Sequence, residues 1–255
     1  MKESLRLESL MFLMALRYLT RVPVTADLPQ SDDLMTRSTK YHPAVGACVG
    51  AAGALVLWLG ETVWSAPVAV LLSVVATLVL TGAFHEQGLA RSAEALSEEG
   101  GRASVLRSFQ SKPFGRVGTM TLGLVMALKV ALLMDMSQGL AAVALIAAHG
   151  IGRMAAVHVV ATTHYAKEEG LRAVVPKTTK DGYRIALATT IALLALVTAA
   201  AGLWAAILAF LGSIALGQVW RMRAINRMGG YTRDCLGGVE QLAELGVLLG
   251  LSMAL

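Results

Sequence analysis

The longest polar stretch of the chain runs from position 82 to position 119 and lies between two apolar segments. It contains acids, a histidine and many cations: His85, Glu86, Arg91, Glu94, Glu98, Glu99, Arg102, Arg107, Lys112 and Arg116. Carboxylate oxygens are ligands of hard metal ions, and guanidinium groups bind phosphate. The stretch therefore provides either a binding or catalytic site or a solvated polar face.

The spacing within this stretch distinguishes some of its residues. Gln87, Arg91 and Glu94 occupy positions i, i+4 and i+7, which share one face of a helix. His85 lies at a predicted helix end, where a polar interfacial side chain and a functional one are both reasonable interpretations. Glu94, Glu98 and Glu99 could equally form a solvated face.

Composition indicates the environment of these residues. The chain has 255 residues, of which 56% are hydrophobic and only 15% are charged, and its mean hydropathy is +0.63. A soluble domain carries roughly 25% charged residues. We therefore predict an all-α integral membrane protein with a single domain, 1–255. The two cysteines, Cys48 and Cys235, lie far apart and predict neither a disulfide framework nor a metal cluster.

Apolar runs predict about seven membrane-spanning helices. They cover residues 44–59, 67–84, 119–134, 140–162, 185–200, 203–220 and 242–255. The first apolar segment is interrupted by charges, and its core, 10–16, is too short to span. We expect an amphipathic helix on the membrane surface or packed on the bundle there, in preference to a signal peptide.

The basic residues predict which loops face the cytoplasm. With the N-terminus inside, the inner segments are 1–43, 85–118, 163–184 and 221–241, and they contain the loop lysines and arginines. The connections at 60–66, 135–139 and 201–202 contain none. This pattern follows the positive-inside rule. It accounts for the net charge of +5 without a nucleic-acid partner.

Few polar side chains fall inside the predicted spans. Lys129 lies toward the outer end of its helix and is expected to snorkel, whereas His149, Arg153 and His158 lie from the middle to the inner end of theirs. This arrangement favours a site on one face of the membrane over a transport path. Arg116 and Arg153 could also be topological anchors or contacts to lipid headgroups.

Six sequence motifs together resemble those of a known family. They are "FLMALRYLTRVPV", "RSTKYHPAVGACVG", "TGAFHEQGLARSAEAL", "GRVGT", "THYAKEEG" and "GGYTRDCLGGVEQLAEL". In this order and spacing they resemble the cobalamin synthase family, that is, adenosylcobinamide-GDP ribazoletransferase or cobalamin-5′-phosphate synthase. The resemblance covers nearly the whole chain. It implies Mg²⁺-dependent joining of adenosylcobinamide-GDP to α-ribazole or its 5′-phosphate, with release of GMP, at the cytoplasmic face of the bacterial inner membrane.

The chain departs from the family at acidic positions. The family motif reads approximately H-x-D-G-x-x-D-x-x-D-G, and this chain has Gln87, Arg91 and Glu94 at its three aspartate positions and Ala95 at its last glycine. Where the family has three carboxylates on one helix face, which is a cradle for a hard metal, this chain has one. Arginine in place of aspartate changes the local charge by two units, which disfavours a divalent metal.

Two further motifs differ in the same way. The family's K-D-S-R-x-G-T appears as "PFGRVGT", with Phe114 at the aspartate position, and G-G-x-T-G-D appears as "GGYTRD", with Arg233 replacing a glycine. Asp234 is kept. Asp234 could instead cap the last helix together with Thr232, and "THYAKEEG" could be a simple helix exit.

The resemblance nevertheless implies a site. Its catalytic residues would be His85, Glu94 and Arg116; its Mg²⁺ ligands would be Glu86, Glu94 and Asp234; and its substrate-binding residues would be Arg91, Arg153, Lys167 and Arg233. The carboxylates would hold Mg²⁺ against the diphosphate, and the cations would bind phosphate oxygens.

Three functions remain open at this point. The first is an active ribazoletransferase with an altered metal site. The second is a non-catalytic relative that binds corrinoid or scaffolds other cobalamin enzymes, as a homo-oligomer or in a complex. The third is an unrelated transporter or lipid-facing transferase, against which the ordered motifs argue.

Overall fold

The computed structural model describes residues 2–111, 115–166 and 175–255. Its helices are α1 (Lys2–Leu19), α2 (Asp32–Ser38), α3 (His42–Gly60), α4 (Ala66–Thr81), α5 (Phe84–Ser97), α6 (Arg102–Ser111), α7 (Arg116–Met134), α8 (Gln138–Thr162), α9 (Lys180–Met228) and α10 (Arg233–Ser252). A short 3-10 turn, Thr39–Tyr41, joins α2 to α3. The predicted all-α helix bundle is confirmed.

Several of these helices could cross a membrane. Among the described residues, five segments are long and apolar enough: Asp32–Gly60, Arg116–Met134, Gln138–Thr162, Lys180–Met228 and Arg233–Ser252. The bent pair of α4 and α5 adds a sixth if it is counted as one span. Within α9, Gly202 leaves helical geometry at φ 88° and ψ 164°. This break separates the two predicted spans 185–200 and 203–220, which explains why the sequence predicts one span more.

A sharp turn joins α4 to α5. Gly82 and Ala83 adopt left-handed backbone with φ of 68° and 53°, and the two helices are bent by 86°. Glycine is favoured at position 82 because of this left-handed backbone, and a Cβ there would also displace the Arg21 side chain, whose Nε would lie 2.3 Å away. The predicted span 67–84 therefore ends earlier, at Thr81. Most of the predicted inner segment 85–118 forms α5 and α6, and α5 is the helix on which Gln87, Arg91 and Glu94 were predicted to share a face.

Small residues let the central helices pack closely. A Cβ at Gly46 or Gly50 of α3 would lie 2.3 Å from a backbone carbonyl oxygen of α8. A Cβ at Gly212 of α9 would lie 2.2 Å from the carbonyl oxygen of Gly246 in α10. Interfaces of this type are common between helices in lipid, where van der Waals packing replaces the hydrophobic effect. They bring α3 against α8 and α9 against α10, beside the polar groups described below.

The N-terminal helix α1 is packed on the bundle and is not one of the candidate spans. Met11 and Ala15 are fully buried on its inner face. Glu8 Oε2 accepts a hydrogen bond from the Tyr41 hydroxyl at 2.6 Å and forms an ion pair with Lys40 Nζ at 2.5 Å. These contacts fix α1 beside the start of α3.

Candidate functional site

A cavity of about 1040 Å³ lies between α1, α2, α8 and the starts of α5 and α10. Its wall contains more cations than acids. The charged and titratable lining residues are Arg17, Asp32, His42, His85, Arg153, Lys177, Arg233 and Glu240. Three of the predicted site residues, His85, Arg153 and Arg233, are therefore brought together in one cavity. The excess of cations suits an anionic ligand.

His85 reaches this cavity because the turn at Gly82 and Ala83 places it in the first turn of α5. Its side chain is 4% exposed, and its Nε2 lies 2.9 Å from Glu240 Oε2 on α10. Gly237 allows the close approach of α5 and α10, because a Cβ there would lie 2.6 Å from the His85 carbonyl oxygen. The geometry pairs an imidazole with a buried carboxylate at the cavity wall.

Arg153 is the most buried charged residue of the wall, with 1% exposure. Its Nη1 donates to the carbonyl oxygen of His149 at 2.8 Å. The same nitrogen lies 3.3 Å from Glu240 Oε1 and 3.8 Å from Glu244 Oε1. Its Nε and Nη2 are buried and have no hydrogen-bond partner within the described residues. Donors left unpaired in this way suit a phosphate oxygen.

The polar contacts continue from Arg153 into the bundle. Glu244 Oε1 lies 2.8 Å from His149 Nδ1, and Glu244 Oε2 lies 2.5 Å from Lys129 Nζ. Lys129 Nζ also donates to Gln241 Oε1 at 2.6 Å. Lys129 is only 6% exposed, so the expectation that it snorkels is wrong. A buried lysine is stabilised here because α10 supplies both a carboxylate and an amide.

Glu86 is at the other end of this network. Its Oε1 accepts a hydrogen bond from Gln241 Nε2 at 2.9 Å. Its Oε2 is buried and has no partner among the side chains and backbone that the structure describes. Glu86 lines a second cavity of about 30 Å³, together with Lys129, His149 and Glu244. A space of that size holds roughly one water molecule.

We call the charged members of these contacts the buried network: Glu86, Lys129, Arg153, Glu240 and Glu244, with the imidazoles of His85 and His149. It contains three carboxylates and two permanent cations. With both imidazoles neutral, the network carries one excess negative charge.

The opposite side of α5 has a different set of contacts. Arg91 Nε lies 3.3 Å from Asp234 Oδ2, and Arg91 Nη2 donates to the Phe109 carbonyl oxygen at 2.8 Å. The N-cap of α10 is Thr232, and Asp234 lies in the first turn. Asp234 is therefore not the capping residue, and the guanidinium of Arg91 is its partner.

Glu94 and Arg116 lie at the start of α7. Glu94 Oε2 accepts a hydrogen bond from the Gly118 N–H at 2.8 Å. That N–H is one of the unsatisfied donors of a helix N-terminus, where a carboxylate is favourable. Arg116 is exposed at the first position of α7. These two predicted catalytic residues are outside the lining of the large cavity.

The predicted Mg²⁺ ligands do not converge. Glu86 binds Gln241, Glu94 binds the Gly118 N–H, and Asp234 binds Arg91. Over the described ranges, no group of three or more His, Cys, Asp or Glu side chains is arranged to hold a metal ion. The carboxylates as placed therefore do not fit a protein-borne Mg²⁺ site.

Three other predicted residues lie away from the large cavity or outside the described residues. Glu98 and Glu99 border a surface groove with Arg223 and Arg227, and the Glu98 carbonyl oxygen accepts from Arg227 Nη2. Lys167 lies outside the described residues.

Glu240, Gln241 and Glu244 were not predicted as site residues from the sequence. The predicted last span began at position 242, whereas α10 begins at Arg233 and contains all three. A signal was present: two acids four positions apart share one face of an otherwise apolar helix. Buried acids in a membrane helix require cationic partners, and Lys129 and Arg153 were available in α7 and α8.

Comparison with known proteins adds independent information. The family model described as Cobalamin-5-phosphate synthase matches residues 11–252. The chain is 37% identical over 251 residues to an adenosylcobinamide-GDP ribazoletransferase of Leptothrix cholodnii, covering 95% of each chain. It is 39% identical over 240 residues to that of Ralstonia nicotianae, covering 92% of this chain and 91% of the relative. The enzyme of that name from Vibrio cholerae is 32% identical over 251 residues, covering 96% and 94%. No solved structure matches the chain.

Proposed function

Because this chain belongs to the cobalamin-5-phosphate synthase family, we propose that it is an adenosylcobinamide-GDP ribazoletransferase. It would join adenosylcobinamide-GDP to α-ribazole or its 5′-phosphate and release GMP. The proposal rests on the names of its relatives and on the chemistry of the large cavity.

The unpaired donors of Arg153 are the observation that carries this proposal. Buried polar groups without partners are rare in folded proteins, and each one requires an explanation. Arg153 lines the large cavity, so a phosphate oxygen of the substrate would complete its hydrogen bonds. Arg17, Lys177 and Arg233 add positive charge on the same wall. Phosphoryl transfer depends mainly on positioning and charge stabilisation, and these side chains would bind the diphosphate and stabilise the departing GMP.

Magnesium would assist this reaction as an ion bound to the substrate. When bound, Mg²⁺ neutralises phosphate charge and polarises the reacting phosphoryl group. The described carboxylates do not form a site for it. We therefore propose that such an ion is held chiefly by the substrate's own phosphates, as is common for Mg²⁺.

The activity is tested with the full chain in lipid nanodiscs, supplied with adenosylcobinamide-GDP, α-ribazole and Mg²⁺. GMP release and corrinoid binding are measured in parallel. Arg153→Lys should lower both, because lysine keeps the charge and loses the planar donor pair. Arg184→Gln, at an exposed ion pair on α9, is the control and should leave both unchanged. Wild-type protein that neither binds corrinoid nor releases GMP would refute the assignment.

A non-catalytic relative that binds corrinoid or scaffolds other cobalamin enzymes is the second candidate. The ion pair of Arg91 with Asp234 favours it, because a guanidinium neutralises the one motif aspartate that this chain retains. Corrinoid binding without GMP release, in protein that remains folded, would support this candidate over the enzyme.

We also propose that the protein resides in the bacterial inner membrane with the large cavity on the cytoplasmic side. The distribution of Lys and Arg among the loops supports this orientation. In a Cys48→Ser background, Ala103→Cys and Met222→Cys should react with a membrane-impermeant thiol reagent only from the cytoplasmic side. Val63→Cys, in the connection between α3 and α4, should react only from outside. Reversed labelling would overturn the orientation.

A further inference from the structure

We propose that His85 accepts the proton of the attacking hydroxyl group and that Glu240 is its positioning residue. This inference rests on the proposed transferase function and assigns a role to Glu240, an acid buried in the last helix. Glu240 acts only through the imidazole, so it is not itself a catalytic residue.

The pairing determines which imidazole nitrogen is basic. His85 Nε2 lies 2.9 Å from Glu240 Oε2, and a carboxylate only accepts hydrogen bonds. Nε2 therefore carries the hydrogen, and Nδ1 holds the lone pair that can take a proton. Because His85 lines the large cavity, this nitrogen belongs to the same wall as the cations that would bind the diphosphate.

The carboxylate of Glu240 also contacts a buried guanidinium. Its Oε1 lies 3.3 Å from Arg153 Nη1 in an ion pair, without a hydrogen bond, and its side chain is 2% exposed. Gly152 of α8 permits the close approach of α10, because a Cβ there would lie 3.0 Å from the Glu240 carbonyl oxygen and 2.6 Å from Glu244 Cγ. A base whose orientation is fixed by a second buried group avoids the cost of reorganisation during reaction.

Proton transfer to His85 accompanies the transfer of the phosphoryl group. The ribazole hydroxyl oxygen forms a bond to the phosphorus on the corrinoid side of the diphosphate, and the bond from that phosphorus to the GMP oxygen breaks. The hydroxyl proton passes to His85 Nδ1, so the imidazole becomes positive between the nucleophile and Glu240. GMP departs with the bonding electron pair, and the imidazolium later releases its proton to water. The Glu240 carboxylate stabilises the transient positive charge.

The first measurement is steady-state kinetics of Glu240→Gln in nanodiscs. We expect kcat to fall by about 10²-fold or more, the lower end of the effect of general-base catalysis. KM for adenosylcobinamide-GDP should change by less than about threefold, because phosphate binding is assigned to Arg153 and the other cations. Asp181→Asn, an exposed carboxylate on α9, is the matched control and should behave as wild type. An unchanged kcat for Glu240→Gln would overturn the proposal.

The second measurement separates positioning from a general structural role. In a His85→Gln background, Glu240→Gln should cost almost nothing further, because its partner is already absent. An equal loss of kcat in both backgrounds would show that Glu240 acts independently of His85 and would overturn the pairing.

The third measurement does not depend on turnover. Nitrogen chemical shifts of isotopically labelled histidine, assigned with His85→Gln, should show the Nε2–H tautomer of His85 in wild type. That preference should be lost in Glu240→Gln. Wild-type protein without GMP release would refute the transferase and the proton-accepting role, while the tautomer would still decide the pairing. The Nδ1–H tautomer in an active wild type would refute the inference alone.

Discussion

The two sides of α5 present charge in different surroundings. On one side, His85 and Glu86 are 4% and 7% exposed and contact α10 deep in the bundle. On the other side, the side chains of Arg91 and Asp234 are 40% and 27% exposed. Charges of the first kind need matched partners, because the protein interior does not screen them. Charges of the second kind are screened by water, so their identities can change with little effect on folding.

Gln87 and Arg91, two of the positions where the family resemblance implies aspartate, lie on the wetter side of α5, with Gln87 exposed. The charged groups of the buried network contact one another, although Glu86 Oε2, Glu240 Oε1 and two nitrogens of Arg153 have no hydrogen-bond partner among the described residues. Substitutions on the two sides should therefore differ in their effect on stability, and the following predictions test that expectation.

The largest effect is expected for Glu244→Ala. This change leaves Lys129, His149 and Arg153 without their shared carboxylate. Breaking a buried ion pair by removing one partner costs about 3–5 kcal/mol. The free energy of unfolding should fall by about that amount in detergent titration, with Asp181→Asn unchanged as the control. A stable Glu244→Ala protein would show that the network is hydrated.

A large loss of stability, which a second substitution should partly restore, is expected for Lys129→Met. The single change leaves Glu244 less compensated and should cost about 3 kcal/mol. Adding Glu244→Gln removes the negative charge that Lys129→Met leaves without its partner and returns the network to its original net charge, so the double variant should be more stable than the sum of the two changes by at least about 1 kcal/mol. Simple additivity in the same unfolding titration would contradict direct pairing.

A moderate effect is expected for Glu94→Gln. The carboxylate accepts the Gly118 N–H at the start of α7, and acids at helix N-termini typically contribute about 0.3–1 kcal/mol. Amide hydrogen exchange at residues 116–120 should speed up by a factor of a few, while exchange in α10 stays constant. Equal exchange at the start of α7 would show that Glu94 is free for another role.

A small effect on stability, and a gain of metal binding, are expected for Gln87→Asp with Arg91→Asp. The pair of Arg91 and Asp234 is half-exposed and contributes about 0–1 kcal/mol. The new carboxylates should create affinity for Mg²⁺ in the absence of substrate, so Mg²⁺ should raise the melting temperature of the variant and not that of wild type. If Mg²⁺ changes the melting temperatures of the variant and the wild type equally, this face of α5 does not form a metal site.

The smallest effect is expected at Glu8. Hydrogen bonds from Lys40 and Tyr41 lower the pKa of this carboxyl from its ordinary value of 4.5. A lowered pKa in the folded state adds stability above pH 4.5, and that stability is lost as the pH falls through the folded pKa. Because Glu8 is 40% exposed, Glu8→Gln should cost less than about 1 kcal/mol near neutral pH and progressively less as the pH falls below 4.5. A constant difference across this range would rule out the ion pair as the cause.

Sequence patterns predicted the apolar helices well and the site only in part. Long apolar runs specify helices such as α7 and α8 locally, and the motif order indicated the family. The 86° turn depends on left-handed backbone at Gly82 and Ala83, which hydropathy does not encode. Likewise, Lys129 of α7 pairs with Glu244 of α10. Hydropathy is evaluated one segment at a time, so it cannot predict an ion pair between two helices that are far apart in sequence.

The choice among candidate ligands also depended on tertiary structure. Glu86 and Glu94 look alike in sequence, yet one faces a small buried cavity and the other the start of α7. The direction of each side chain is set by which helix packs against α5. Glycines such as Gly88 and Gly237 contribute to this packing, because their lack of a side chain permits close contact between α5 and α10.

The chain order of the buried network also matters during synthesis. Lys129 and Arg153 belong to helices that leave the ribosome well before α10, which brings Glu240 and Glu244. Until α10 arrives, the bilayer must accommodate two cations without their carboxylates, at a cost of about 2.5–3.5 kcal/mol each at the centre of a helix. The last helix thus completes the insertion of two earlier ones. The ion pairs that stabilise the helix bundle therefore form only after nearly the whole chain has been translated.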